Sequence, residues 1–309
     1  MEMNESNNSK MESKRLILYI AITFILTYVY EFAVIYPINN GANLRTEAAV
    51  LVQLLVAACM FFPAIGVLIT RLITKEGFKN SMIKPNFKGN IKIYLLAYFG
   101  PAVLTILGCV IYFLIFPEKY DPNCGYLVQT FNASGTDVST LGMPISTLMI
   151  IQTVQAMLFG PIMNFITCFG EEWGWRGYML PKMAEKMKPI PMLLVSGIIW
   201  GLWHAPLTAL GHNYGTGYAG YPVTGILAMC GFCLVIGIFL SFITLKTNSC
   251  IPAVLSHAGI NSIVSIGIYF TQDGGNAFVG PAPTGIIGGS AFIIVDILIL
   301  IFWFCKKEK

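Results

Sequence analysis

Charge is what this sequence has least of. Asp, Glu, Lys and Arg make up 11% of its 309 residues, against roughly 25% in a soluble globular domain. With 56% hydrophobic residues, the chain has more apolar surface than folding alone can hide from water, which excludes an ordinary soluble enzyme. Histidine is scarcer still, at three residues. No Gly-x-Ser-x-Gly marks a serine nucleophile, and no His-Glu-x-x-His marks an ordinary zinc protease. The eight cysteines show no metal-ribbon pattern of pairs, and most lie in apolar runs, where Cys behaves as a small hydrophobe. Cys230 and Cys233 have redox spacing, but they sit in the middle of an apolar run with no soluble redox fold around them.

What is present is length of apolar chain. About twenty apolar residues cross the hydrocarbon core of a bilayer. Eight stretches qualify, at about 16–36, 48–73, 92–116, 149–170, 191–210, 222–245, 251–270 and 284–305. The fifth and seventh are marginal, because Pro, Gly and His interrupt them; such breaks are tolerated where neighbouring helices satisfy the freed backbone. The run from Leu16 is too long for a signal-peptide core and no small-residue cleavage site follows it, so it reads as a first span. The expected fold is therefore all-α: a polytopic membrane bundle of about eight transmembrane helices. A polar segment 1–15 precedes a single bundle 16–305, whose catalytic core lies at about 149–270, and a tail 306–309 follows.

The basic residues orient this bundle. All of the 19 Lys and Arg residues except Arg45 and Lys119 fall in segments that lie on one side if the spans alternate. The positive-inside rule makes that side the cytoplasm and places both termini there. The longest outer loop, about 117–148, carries the sequon Asn132-Ala133-Ser134.

Ionisable residues inside a bilayer are costly and mark functional sites by default. Glu171, Glu172 and Arg176 stand at the inner end of the fourth stretch, read as helix continuing past the apolar run. Glu172 and Arg176 are four apart and can pair on one face, whereas Glu171 is turned by about 100° and is left for chemistry. His204 lies in the fifth stretch, about 20 Å from its inner end, and His257 about 9 Å into the seventh, at 1.5 Å per residue. His257 and Asn261 are four apart on one face. These groups are expected to converge on a cavity in the inner half of the membrane, open to the cytosol. A Glu can act as general base for water; two His and a Glu can instead bind Zn²⁺ with a water in the fourth position. A His or Asn donor can stabilise the oxyanion. Each residue also has a plainer reading. Glu172–Arg176 can be a structural pair, Asn261 can join two helices, and Glu31 and Asp296 read as interfacial or helix-pairing residues. His212, just past the fifth stretch, reads as an outer-loop residue.

Taken together, Glu171-Glu172-x-x-x-Arg176, Trp200-x-x-x-His204 and His257-x-x-x-Asn261 resemble the three motifs of the CPBP family, which contains the CaaX prenyl endoproteases and the bacteriocin-processing or Abi proteins. The motifs span 171–261; the first four stretches match in general character alone. The family usually has Phe where this chain has Trp200. The resemblance implies an intramembrane endopeptidase in which Glu171 and His204 activate water and His257 and Asn261 form the oxyanion hole. Glu172, Arg176 and Trp200 support the site. It leaves metal-dependent and metal-independent chemistry both open, with Glu171, His204 and His257 as the ligands if Zn²⁺ takes part. The expected partners are a peptide or protein substrate, which the resemblance allows to be prenylated, and the lipid bilayer, with no nucleic acid. A non-catalytic immunity or scaffold protein that binds a peptide or membrane partner is the competing reading. A proton-coupled transporter is a third, against which stands the lack of a repeated half with matching broken helices.

Overall fold

The structure, a computed structural model, describes residues 2–41 and 46–304. Arg45, Cys305 and the tail 306–309 lie outside the described residues. Among the described residues the regular structure is helical, with only two isolated bridges, Tyr120–Thr271 and Asn276–Gly280. Six helices are long and apolar enough to cross a membrane: Ser9–Asn39, Val50–Ile73, Ile91–Ile115, Ile145–Met163, Val223–Thr247 and Ile251–Tyr269. Pro189–Trp203 and Ser290–Trp303 are shorter apolar helices. Every expected stretch is therefore helical, and the protein is a polytopic helical membrane bundle. The fifth and eighth are the short ones, whereas the seventh reaches full length. The polar segment before Leu16 is not a separate tail in the described residues, since the first helix already runs from Glu2 to Tyr30.

Two breaks matter for the site. The fourth stretch does not run straight into the glutamates. It ends at Met163, two residues after Pro161, and a second helix, Phe165–Gly174, carries Glu171 and Glu172. Proline removes a backbone donor and crowds the preceding turn, which kinks a helix; Pro101 lies inside the unbroken helix Ile91–Ile115, so Pro161 does not by itself account for the stop at Met163. The fifth stretch stops at Trp203, with His204 at the break and a short helix Ala205–Ala209 beyond it. Pro206 has no N–H to offer the Leu202 carbonyl four residues back. That carbonyl instead accepts from the Tyr28 hydroxyl at 2.6 Å, the kind of substitute partner that a broken helix in lipid requires.

The chain divides into two compact units. One comprises Met1–Asn90 with Ile166–Val254, the other Ile91–Phe165 with Leu255–Lys309. In the first unit, the helix Pro189–Trp203 packs along Val223–Thr247. Gly197 and Gly201 are four apart, a small-xxx-small face that lets two membrane helices approach closely. A Cβ on Gly197 would lie 2.7 Å from the Leu234 Cα, and one on Gly201 would overlap the Cys230 backbone. An aromatic core of Tyr19, Trp175, Tyr178 and Trp203 fills the space around the first helix, with ring centroids 5.2–5.8 Å apart. At the polar end, Glu76 accepts from Lys182 Nζ and from the Tyr178 hydroxyl, each at 2.7 Å, and Lys182 also pairs with Glu12.

In the second unit, Ala102, Ile263 and Ile266 form a buried cluster with Met157, Tyr269 and Phe270 packed against it. The outer segment is tied by Lys119 to Asp273 at 2.6 Å. Both groups are largely exposed, so the pair adds little stability. It holds the Asp273 carboxyl below its ordinary range.

The small-residue face yields a direct expectation. Gly197→Leu and Gly201→Leu should each lower stability by roughly 1–3 kcal/mol through overpacking, read as a fall in melting temperature in detergent. Gly231→Leu on the facing helix, where an added Cβ meets open space, should not.

Candidate active site

The glutamate helix and the Pro189–Trp203 helix both belong to the first unit, and they bring five of the seven expected residues together. Glu171, Glu172, Arg176 and Trp200 are 2%, 0%, 4% and 3% exposed, so their polar groups must be satisfied from within the protein. Arg176 Nη1 donates to Glu172 Oε1 at 3.0 Å, as the spacing of four suggested, even though Arg176 sits in a π-helical turn, Trp175–Met179. Its guanidinium lies 4.0 Å from the centroid of the Trp200 ring, within range for a cation–π contact. On the other side, Trp200 Nε1 donates to Glu171 Oε2 at 3.0 Å. The two glutamates are thus divided as expected, one against the arginine and the other held towards the histidine helix.

Trp200 has a second role. Its backbone carbonyl lies 2.9 Å from His204 Nδ1. A carbonyl can only accept, so Nδ1 carries a proton, and in the neutral imidazole Nε2 carries the lone pair. This is the tautomer needed for a base or a metal ligand at Nε2. Cys233 Sγ stands 3.8 Å from the same Nδ1, which gives one cysteine of the pair a place beside the histidine. Just before the break, Trp203 Nε1 donates to Thr27 Oγ1 at 2.7 Å. The first helix therefore bonds to both residues that precede His204, at Leu202 and at Trp203. Nothing in residues 20–30 signals this, because Thr and Tyr in a span read as ordinary polar spacing.

His257 and Asn261 belong to the second unit, on the helix Ile251–Ile263. Ser256 Oγ donates to the Ala97 carbonyl at 2.8 Å and Ser262 Oγ to Ala258 at 2.7 Å; Ser262 also accepts from Asn164 Nδ2 at 2.7 Å. Serines thus pin the helix on either side of the motif. Asn261 is exposed and lines a cavity of about 400 Å³, with Leu127, Gln152, Thr153, Ser265 and Tyr269 among its walls. Among the described residues no group of three or more His, Cys, Asp and Glu side chains is arranged to hold a metal ion.

Residues 153–263 match a family model described as type II CAAX prenyl endopeptidase Rce1-like, a stretch that holds all three motifs. The chain is also 27% identical over 251 residues to CAAX prenyl protease 2 of Methanococcus maripaludis, covering 79% of this chain and 82% of that relative. The matched stretch is about a third of the chain, and both findings support the resemblance to the CPBP family. They support a protease of the CAAX-endopeptidase kind. Within this family setting, Trp200 adds a hydrogen-bond donor that a Phe at the same position does not have.

Trp200→Phe keeps a ring over Arg176 and removes the donor to Glu171. A hydrogen bond to a charged group is worth about 1.5–3 kcal/mol, so kcat/KM should fall roughly ten- to a hundredfold while the melting temperature stays close to wild type. Unchanged kinetics in the folded variant would show that the indole N–H does not position the glutamate.

Proposed function

We propose that this protein is an intramembrane endopeptidase in which Glu171 and His204 activate water. The observation that carries the reading is the double hold of Trp200, with its indole on the Glu171 carboxylate and its carbonyl on His204 Nδ1. A buried carboxylate beside an imidazole whose Nε2 is a proton acceptor is a general-base arrangement. Water loses its proton to this pair as its oxygen bonds to the peptide carbonyl carbon. The C–N bond then breaks, and the same proton passes to the leaving amine. His257 and Asn261 are assigned the donation to the oxyanion that develops on the carbonyl oxygen. The Glu172–Arg176 pair keeps the turn after Glu171 in place and neutralises charge within the first unit.

For metal chemistry the set would be Glu171, His204 and His257, with Zn²⁺ supplying a bound hydroxide. Every step above is assigned to protein groups. The substrate is proposed to be a peptide or protein cut at a site open to the cytoplasmic side, where the basic segments lie. A prenylated substrate is supported by the name of the relative.

The test is cleavage of a quenched fluorescent peptide set, with and without prenyl-cysteine, by purified protein. Glu171→Ala and His204→Ala should each reduce kcat by roughly 10²–10⁴-fold, the range for losing general acid–base catalysis, with melting curves intact. His257→Ala and Asn261→Ala should lower kcat more than they raise KM. Undiminished cleavage by folded Glu171→Ala would sink the reading, and loss of activity on chelation with recovery on adding Zn²⁺ would transfer the water to a metal.

A further inference from the structure

The segment 74–90 joins the membrane helices Val50–Ile73 and Ile91–Ile115, so it lies at a bilayer surface. It carries a pattern that the catalytic residues do not use. An apolar residue is followed directly by a lysine at Phe78-Lys79, Ile83-Lys84 and Phe87-Lys88, and a further pair, Ile91-Lys92, opens the next membrane helix. All of these side chains are exposed, Phe78 by 53%, Ile83 by 41% and Phe87 by 50%. On a span, lipid tails would cover such apolar groups. On a connecting segment they face water unless something else covers them, and a cluster of them marks an interaction surface. Among the described residues the segment's lysines have no acidic partner. Its one acid, Glu76, is taken by Lys182 and the Tyr178 hydroxyl.

The segment is held in place by the protein, and the holding points alternate with the pairs. Arg71 Nη1 donates to the Gly77 carbonyl at 2.5 Å, directly before Phe78-Lys79. The Cys250 N–H donates to the Met82 carbonyl at 2.8 Å, directly before Ile83-Lys84. Asn86 Nδ2 donates to the carbonyls of Thr247 and Asn248 at 3.1 and 3.0 Å, directly before Phe87-Lys88. Met82 has φ +55°, a left-handed backbone that a residue with a Cβ keeps only where its surroundings fix it. Anchored at Gly77, Met82 and Asn86, the chain presents each apolar–lysine pair outward. The same segment also meets the turn after the glutamates. The Ser81 carbonyl lies 3.4 Å from where a Cβ on Gly177 would stand, and Gly177 and Tyr178 belong to the π-turn that carries Arg176.

We infer that residues 77–90 form a strap that binds anionic phospholipid headgroups. Phe78, Ile83 and Phe87 enter the interfacial layer, and Lys79, Lys84 and Lys88 take the lipid phosphates. Apolar and basic side chains together are what an interfacial segment uses, and an anionic leaflet attracts unpaired lysines beside it. A second copy meeting this face about a two-fold axis would instead set lysine against lysine. The bound lipid thereby stands against the segment that backs the π-turn. The inference is independent of the protease reading, because binding is measured without cleavage.

The test titrates the full-length protein in neutral detergent with phosphatidylglycerol, phosphatidylcholine, inorganic phosphate or an oligoglutamate peptide, and follows the melting temperature. Phosphatidylglycerol should raise it, as a ligand of the folded state does, and added salt should weaken the effect. The other additives should leave it unchanged. A lysine near an anionic surface strengthens attraction about fivefold. Replacing Lys79, Lys84 and Lys88 together by Gln should therefore weaken phosphatidylglycerol binding by about tenfold or more, whereas replacing all three by Arg should preserve it. Ile83→Ser should weaken it, and Lys119→Gln, in a different connecting segment, should not. Equal protection of wild type and the Gln variant, or no protection of wild type, overturns the inference. So does protection by inorganic phosphate equal to that by lipid, which marks an ion site, or by oligoglutamate, which marks a protein partner. A melting temperature that rises with protein concentration and ignores lipid assigns the face to a second copy and overturns it too. If the Gln variant does not fold, Lys84→Gln and Lys88→Gln decide singly: binding about fivefold weaker in each supports the strap, and unchanged binding refutes it.

Discussion

One indole ring holds the first unit's chemistry in register. Trp200 meets the arginine with its face, the glutamate with its N–H and the histidine with its own carbonyl. Each contact is modest alone. Their common origin in one residue means that Glu171, His204 and the Glu172–Arg176 pair cannot drift independently. The helix that carries Trp200 is itself set against its neighbour through Gly197 and Gly201, where nothing larger than hydrogen fits without displacement. Preorganisation of this kind is what lets a polar site operate in a low-dielectric interior, since its groups do not have to be reoriented during reaction.

Lipid imposes the complementary constraint. A backbone carbonyl without a donor is costly in a bilayer, and the site contains a proline that creates one. Tyr28 resolves the problem at Leu202, and in doing so it makes the first helix part of the active-site scaffold. The break at His204 and the breach after Pro161 both free the helices from running straight through. They allow residues that a continuous span would bury in hydrocarbon to be held by protein groups instead.

Much of this was legible from residue types. Apolar stretches marked every helix of membrane-spanning length, because a span needs a run of fixed length. The i, i+4 pairing of Glu172 with Arg176 followed from helix geometry and survives the π-turn. What pattern alone missed depends on distant neighbours. The fourth stretch looked continuous into Glu171, since a single Pro161 in an apolar run does not announce a new helix. The fifth looked long enough to span, whereas it stops at His204 because Pro206 follows. Trp200 was recognised as an aromatic support, but its donation to Glu171 requires knowing where two helices face. Glu31 reads from sequence as either interfacial or helix-pairing, and the burial that favours the second comes from segments far away in sequence.

The bond between Tyr28 and Leu202 joins residues 174 apart. At synthesis rates of about 5–20 residues per second, roughly ten to thirty seconds pass between their emergence. Throughout that interval the first helix must enter and persist in the bilayer with Thr27, Tyr28 and Glu31 lacking their later neighbours. Its apolar length has to retain it there unaided. The Trp200 contacts it braces form only when the fifth stretch arrives, so the newborn chain lacks the Glu171–Trp200–His204 arrangement while most of it is still being made.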